Sequence, residues 1–428
     1  MITPTTVTPV KSPSDSDRKV IQGLVARNYD RMNAACHIVL EVKHAASAKE
    51  FIAKCIPRIA TVEDDGASSC LNIGFTFQGL SAFLKKQQLE ALAKKPELQA
   101  FVEGAVDRAG LLADVGVNAP RAWKDGLGRA ENVHLILSVY TENLWTLYKE
   151  VETIVGDASG GCDVVSRNPC NQLPDGRIHF GYKDGISQPN ILGLRDNGDK
   201  LEPIPAGAFV LGYPSQFTGH TYDYHFPSQL GFNGTFAAFR IMKQDVAGFE
   251  NYLTEHASGS VSRELVAARL CGRWRDGTSL VVSPEAPIDD MRNDFEYKGA
   301  PDSVCPFSSH ARRTNPRDDR VSGLSGRKHR IVRSTMPYGP PYDASTNDYT
   351  EGQPNYQERG LIGFFLCVNL ADQFEFIMKN WVLRGGFNGN LPTSNSDPLI
   401  GFNSFIQTRG VAYCFFPSKD GLQYLAQL

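Results

Sequence analysis

Ala34-Ala35-Cys36-His37-Ile38-Val39-Leu40-Glu41-Val42, followed after a short polar turn by Ser47 to Cys55, sets a pattern that the chain uses again. The first run is apolar and strand-like, and the second places Phe51, Ile52 and Cys55 on one side of a helix. Thr235-Phe236-Ala237-Ala238-Phe239-Arg240-Ile241-Met242-Lys243 feeds Val246 to Glu255 in the same manner. Gly360 to Asn369 is another strand, feeding a helix that carries Gln373-Phe374-Glu375-Phe376-Ile377 and Trp381. Further strands are expected over Ser69 to Gly79 and Asn132 to Tyr140, with helices over Leu80 to Lys95 and Asn143 to Ile154. Strand–helix units in both halves predict an α+β protein of two ferredoxin-like domains, each an antiparallel sheet with helices on the outside. The expected layout is a flexible N-terminal tail over residues 1–30, one domain over 31–200 and a second over 201–428, with the boundary among the Gly and Pro residues of 190–212.

The 428 residues exceed one ordinary core, in keeping with two or more domains. A formal net charge of -3 with no basic patch argues against nucleic acid and acidic membrane surfaces as partners. The longest apolar stretch, Leu361 to Val368, is far short of the ~20 residues that span a membrane. The first twenty residues carry no apolar signal segment. Nine scattered cysteines without a CxxC pair read as reduced, mostly buried thiols, which argues against zinc and iron–sulfur sites. Together these features lead to the expectation of an intracellular setting, with secretion left open.

The stretch His179-Phe180-Gly181-Tyr182-Lys183-Asp184-Gly185-Ile186-Ser187-Gln188-Pro189-Asn190 holds one carboxylate in a tight turn between two glycines. Pro189 speaks against a regular helix or central strand there. Glycines let backbone approach a bulky, flat partner closely. Residues 299–358 look loop-like, rich in Pro, Gly, Ser, Arg and Asn, and a loop of that length is commonly functional. It contains Cys305-Pro306-Phe307-Ser308-Ser309-His310-Ala311-Arg312-Arg313-Thr314-Asn315-Pro316-Arg317 and His329-Arg330-Ile331-Val332-Arg333-Ser334-Thr335-Met336-Pro337-Tyr338-Gly339.

In that order, these three pieces resemble the haem-binding set of the dye-decolorizing peroxidase family: Gly-x-x-Asp-Gly, then a histidine before Arg-Arg-x-Asn-Pro-Arg, then an arginine before Met-Pro-aromatic-Gly. Gly272-Arg273-Trp274 and Gln373-Phe374-Glu375-Phe376 match further, and the similarity runs from about Ala34 to the C-terminus. Position 182 is Tyr where Phe is commoner in the family, and Ser334-Thr335 stand where some branches have Asp and Asn.

The resemblance implies one haem b per chain, held mainly by the C-terminal domain, with hydrogen peroxide and dyes, phenols or other small electron donors as partners. It implies His310 as axial ligand to the haem iron, with Gly181, Gly185, Arg317 and Phe365 also against the cofactor. Glu375, or else Asp372, is expected to support the proximal histidine, since iron-bound imidazoles commonly donate to a carboxylate or carbonyl. Asp184 is implied as the acid–base group and Arg333 as a fixed positive charge where negative charge develops. Beside a cation, a carboxyl should titrate below its usual ~3.9, so activity should survive into acid. Tyr338 and Trp381 are candidates for surface oxidation. Taken without the family pattern, His329 competes with His310 as ligand. A haem-binding or iron-removing protein on the same fold is the alternative function. No phosphate loop, HExxH or nucleophile elbow competes with these readings.

Overall fold

The computed structural model describes residues 11–26, 29, 31–64, 67–198, 200–217, 220–224, 227–318, 320–321, 324–325, 328–346, 350–383 and 405–428. In the first half lie strands β1 (Ala34–Val42), β2 (Ser69–Phe75), β3 (Leu135–Thr141) and β4 (Cys162–Asn171). The second half contributes β5 (Thr235–Gln244), a small pair β6 (Arg320–Val321) and β7 (Leu324–Ser325), then β8 (Val332–Tyr338), β9 (Gly360–Cys367) and β10 (Ile406–Phe416).

Strand order is β4-β1-β3-β2 in the first half and β10-β5-β9-β8 in the second. Counted from the first long strand of each half, both read fourth-first-third-second, and the ladders are antiparallel. That is the ferredoxin-like arrangement, present twice. β10 also meets β2, with Phe415 opposite Phe75, so the halves join into one eight-stranded sheet.

The sheet curls until its outermost strands, β4 and β8, pack against one another. The inner face carries the shared core: the His37 ring lies 5.5 Å from Phe239 and 5.4 Å from Phe364, and Phe364 lies 5.1 Å from Phe416. Helices cover the outer face. Leu144–Ala158 buries Leu147, Val151, Ile154 and Ala158, one helical stripe, against the first half. Among the described residues no helix is long and apolar enough to cross a membrane, and all nine cysteines are free thiols.

Three expectations change. The N-terminal stretch is docked over its described part: Ser14 caps a turn of helix at Asp15–Arg18, Asp17 accepts from Asn233, and Ile21, Leu24 and Val25 are buried. The loop-like stretch 299–358 contains β8, and no strand was expected where β4 runs. Both are edge strands carrying proline (Pro169 and Pro337), which an edge tolerates but which blurs the strand signal. Finally, the helix after β9 is wound as two π-helical stretches, Leu370–Glu375 and Ile377–Val382.

Candidate active site

The Asp184 turn is fixed from both sides. Phe180 and Tyr182 are buried, with ring centroids 4.4 and 6.3 Å from Phe249, and the Tyr182 hydroxyl donates to the Ala267 carbonyl at 2.7 Å. Arg177 donates to the carbonyls of Gly181 (2.6 Å) and Arg275 (3.0 Å). Gly181 and Gly185 take φ of +86° and +79°, a region costly for a side chain, so glycine is required at both ends of the turn. The outcome is an exposed Asp184. Its Oδ1 accepts the Gly185 N–H at 2.7 Å, and its Oδ2 accepts the Thr335 hydroxyl at 3.2 Å.

Strand β8 supplies the facing group. Burial alternates along it, so Arg333 and Thr335 lie on one face and Ser334 on the other. Arg333 stands opposite Phe365 of β9, which puts Phe365 on the Arg333 face. Gln188, four residues after Asp184, donates from Nε2 to the Arg333 carbonyl at 2.6 Å, and its Oε1 accepts the Arg333 N–H at 3.3 Å. One side-chain amide thus completes the free edge of β8 as a backbone neighbour would, and ties the Asp184 turn to the strand. The guanidinium of Arg333 donates to the Ser187 carbonyl at 3.3 Å, and no ion pair joins it to Asp184. Both line an open cleft of about 730 Å³, together with Asn33 and Asn171 from the first half. Gln188 and Thr335 were visible in the sequence, but a side chain that mimics backbone pairing leaves no sequence signal.

His310 opens the short helix His310–Thr314, whose other side chains anchor it. Buried Arg312 donates to the Cys305 carbonyl at 2.7 Å and stacks 4.1 Å from the Phe307 ring, while Arg313 Nε donates to the Trp381 carbonyl. Among the described residues the His310 imidazole has no hydrogen-bond partner. The residue keeps exposed surface, yet enough protein surrounds the ring that burial pulls its pKa down to about 4. Arg333 presses it further down and Asp184 pushes it back up. The ring is therefore neutral, with both groups in electrostatic reach.

His329, its rival, is a packed core residue: it stacks on Phe376 at 3.6 Å, its Nδ1 bonds the Asp372 carbonyl, and Trp381 meets it edge-on. The expected proximal partners are committed elsewhere. Glu375 pairs with Arg108 at 2.5 Å and accepts the Tyr413 hydroxyl at 2.9 Å. Asp372 accepts from Tyr222 and Asn369. Neither carboxylate hydrogen-bonds His310. Arg317 also points away from the expected role, donating to the Asn293 and Phe295 carbonyls at 2.7 and 3.0 Å and stacking 4.1 Å from Phe295, so it holds that loop. Trp381 is 2% exposed, and Tyr338 is half-buried with its hydroxyl donating to Glu358 at 2.8 Å. Among the described residues the most exposed aromatics are Trp145 and Tyr148, on the outer helix of the first half.

No family model matches the chain. Curated proteins do. A dye-decolorizing peroxidase of Mycena epipterygia is 28% identical over 404 residues, covering 86% of this chain and 72% of that protein. The dye-decolorizing peroxidase msp1 of Mycetinis scorodonius is 30% identical over 359 residues, covering 78% and 66%. Among solved structures, a fungal peroxidase of this type from Auricularia auricula-judae superposes with a TM-score of 0.79 at 24% identity, over 96% of this chain and 99% of that one. Sequence relatives, doubled ferredoxin-like topology and the order of the motifs agree: the chain belongs to the dye-decolorizing peroxidase family and is a peroxidase.

Proposed function

We propose that this chain holds one haem b through His310 and reduces hydrogen peroxide with Asp184 and Arg333, oxidising dyes, phenols or other small electron donors. The observation that carries the reading is the shared reach of three groups. A neutral imidazole with no hydrogen-bond partner among the described residues feels both the carboxylate and the guanidinium that line the cleft. Such an imidazole suits a metal that arrives already chelated. Among the described residues no cluster of His, Cys, Asp and Glu could hold a bare ion. Phe365 and Gly185, whose Cβ side is open, offer the apolar and close-approach surfaces that a flat macrocycle needs, whereas Gly181 packs on the Arg275 side chain.

Bound haem would supply the electrons for peroxide reduction and draw replacements from the donor. The rest falls to side chains. The Asp184 carboxylate takes the proton from one peroxide oxygen and returns it to the other, so that the O–O bond opens with water as the leaving group. Thr335 fixes the orientation of that carboxylate through Oδ2. Arg333 keeps a positive charge at the cleft wall, where the departing oxygen gathers negative charge. Gln188 holds Arg333 in place from the Asp184 turn itself.

The test is rapid-mixing spectroscopy of the haem-loaded protein with peroxide. Asp184→Asn and Arg333→Leu should each slow the peroxide reaction by about 10²–10³-fold, with haem still bound. Wild-type rates in both variants would remove the catalytic assignment and leave a haem-binding protein.

A further inference from the structure

Strand β8 has a second face. Ser334, between Arg333 and Thr335, points into the barrel, where it stands opposite Phe364 in register. Beside it lies Tyr140 of β3, only 3% exposed, and beside Tyr140 lies His37 of β1, fully buried. The Tyr140 and His37 rings meet edge-on at 5.8 Å, and Tyr29 packs on Tyr140 at 4.7 Å.

Two polar atoms in this cluster lack a partner: the Tyr140 hydroxyl and His37 Nε2. The Ser334 hydroxyl is close enough to favour an ionised Tyr140, but no well-aligned hydrogen bond forms. The other His37 nitrogen, Nδ1, is taken by the Ser138 hydroxyl at 2.9 Å. An unpaired buried polar atom costs about 1–3 kcal/mol, so two in one interior need an explanation. A water set between them would answer both, accepting from the phenol and donating to Nε2.

We infer that Tyr140 and His37 form a redox pair inside the barrel, in which Tyr140 gives up one electron to the oxidised site while its proton passes through the bridging water to His37 Nε2. The products are a neutral tyrosyl radical and an imidazolium, and return of the electron reverses both transfers. The inference rests on the peroxidase reading above, since reduction of peroxide generates the oxidant. Burial pushes the Tyr140 pKa up, so the phenol must release its proton together with the electron. Burial also holds His37 down at about 3, which leaves its ring neutral and able to accept. Tyr29, tilted by 35° against Tyr140 at 4.7 Å, can share the hole. The pair stores an oxidising equivalent away from the cleft when no donor is present.

The test is freeze-quench electron paramagnetic resonance of haem-loaded protein mixed with peroxide in the absence of donor, using ring-deuterated tyrosine to identify the radical. Wild type should show a tyrosine radical. Tyr140→Phe, which removes only the hydroxyl, should lose it, and His37→Leu should lose most of it, while both consume peroxide at the wild-type rate. An unchanged signal in Tyr140→Phe, a full signal in His37→Leu, or a reactive wild type with no tyrosine radical would overturn this inference alone. A wild type that does not react with peroxide would overturn both it and the peroxidase reading. Independently of haem, a high-resolution crystal structure should place a water within hydrogen-bond distance of both atoms, and its absence would overturn the proton route.

Discussion

In the first half of the molecule residues 43–68 join β1 to β2, whereas in the second half residues 245–331 join β5 to β8, although both halves share one strand order. The first connection is a helix and short turns packed on the sheet. The second carries the helices Val246–His256, Arg263–Cys271 and His310–Thr314, and brings His310 within electrostatic reach of Asp184 and Arg333. One fold unit repeated twice thus has two uses. The first half supplies a wall and an inner core, the segment between β4 and β5 carries Asp184, and the second half carries His310 and Arg333. Topology alone did not place His310; the length and anchoring of one connection did.

The strongest way to break that comparison is to unpair the charge that seats the π-wound segment. Glu375 is 2% exposed and bound to Arg108 from the first half. Because Arg108 keeps Glu103 as a second partner, Glu375→Gln should destabilise the protein by about 1.5–3 kcal/mol in chemical denaturation, through the seam between halves. Because Glu375 does not touch His310, the haem absorption spectrum of any folded variant should match wild type. A shifted spectrum would restore Glu375 as the proximal partner.

Gln188→Ala comes next. It leaves the Arg333 backbone N–H and carbonyl without partners at the sheet edge, a loss of about 1–3 kcal/mol measurable by thermal unfolding. It should also slow peroxide reduction, since Arg333 loses its tie to the Asp184 turn. Thr335→Val is milder: removing one hydrogen bond to Asp184 should cost about 1 kcal/mol, seen as a several-fold slower peroxide reaction with stability nearly unchanged.

A separate effect is on pH dependence. His37 is held at about 3 and His179 at about 4, both by burial. The unfolded chain protonates these histidines near ~6.5, so it binds more protons than the folded state between that value and the folded ones. Stability of the haem-free protein should therefore be full above about 6.5 and fall as pH drops towards about 4. His179→Gln should flatten part of that slope.

How much of this could be read from the chain depends on the kind of signal. Central strands such as β1 and β5 were legible, because burial on both faces leaves long apolar runs. β4 and β8 were not, since an edge strand with proline and polar alternation resembles a loop. Asp184, His310 and Arg333 could be named through their flanking residues. Their supports could not: Gln188 imitates backbone, Thr335 acts through one hydroxyl, and Glu375 is claimed by an arginine 267 positions away. A buried carboxylate takes whichever cation the fold brings to it.

The central claim, that the long connection of the second half presents His310 as the ligand to haem, is tested most directly by titrating haem into haem-free wild type, His310→Ala and His329→Ala. The account predicts a saturable one-to-one haem absorption band in wild type and His329→Ala, and loss of that band's ligand signature in His310→Ala. A band unchanged in His310→Ala, or lost in a folded His329→Ala, would contradict it.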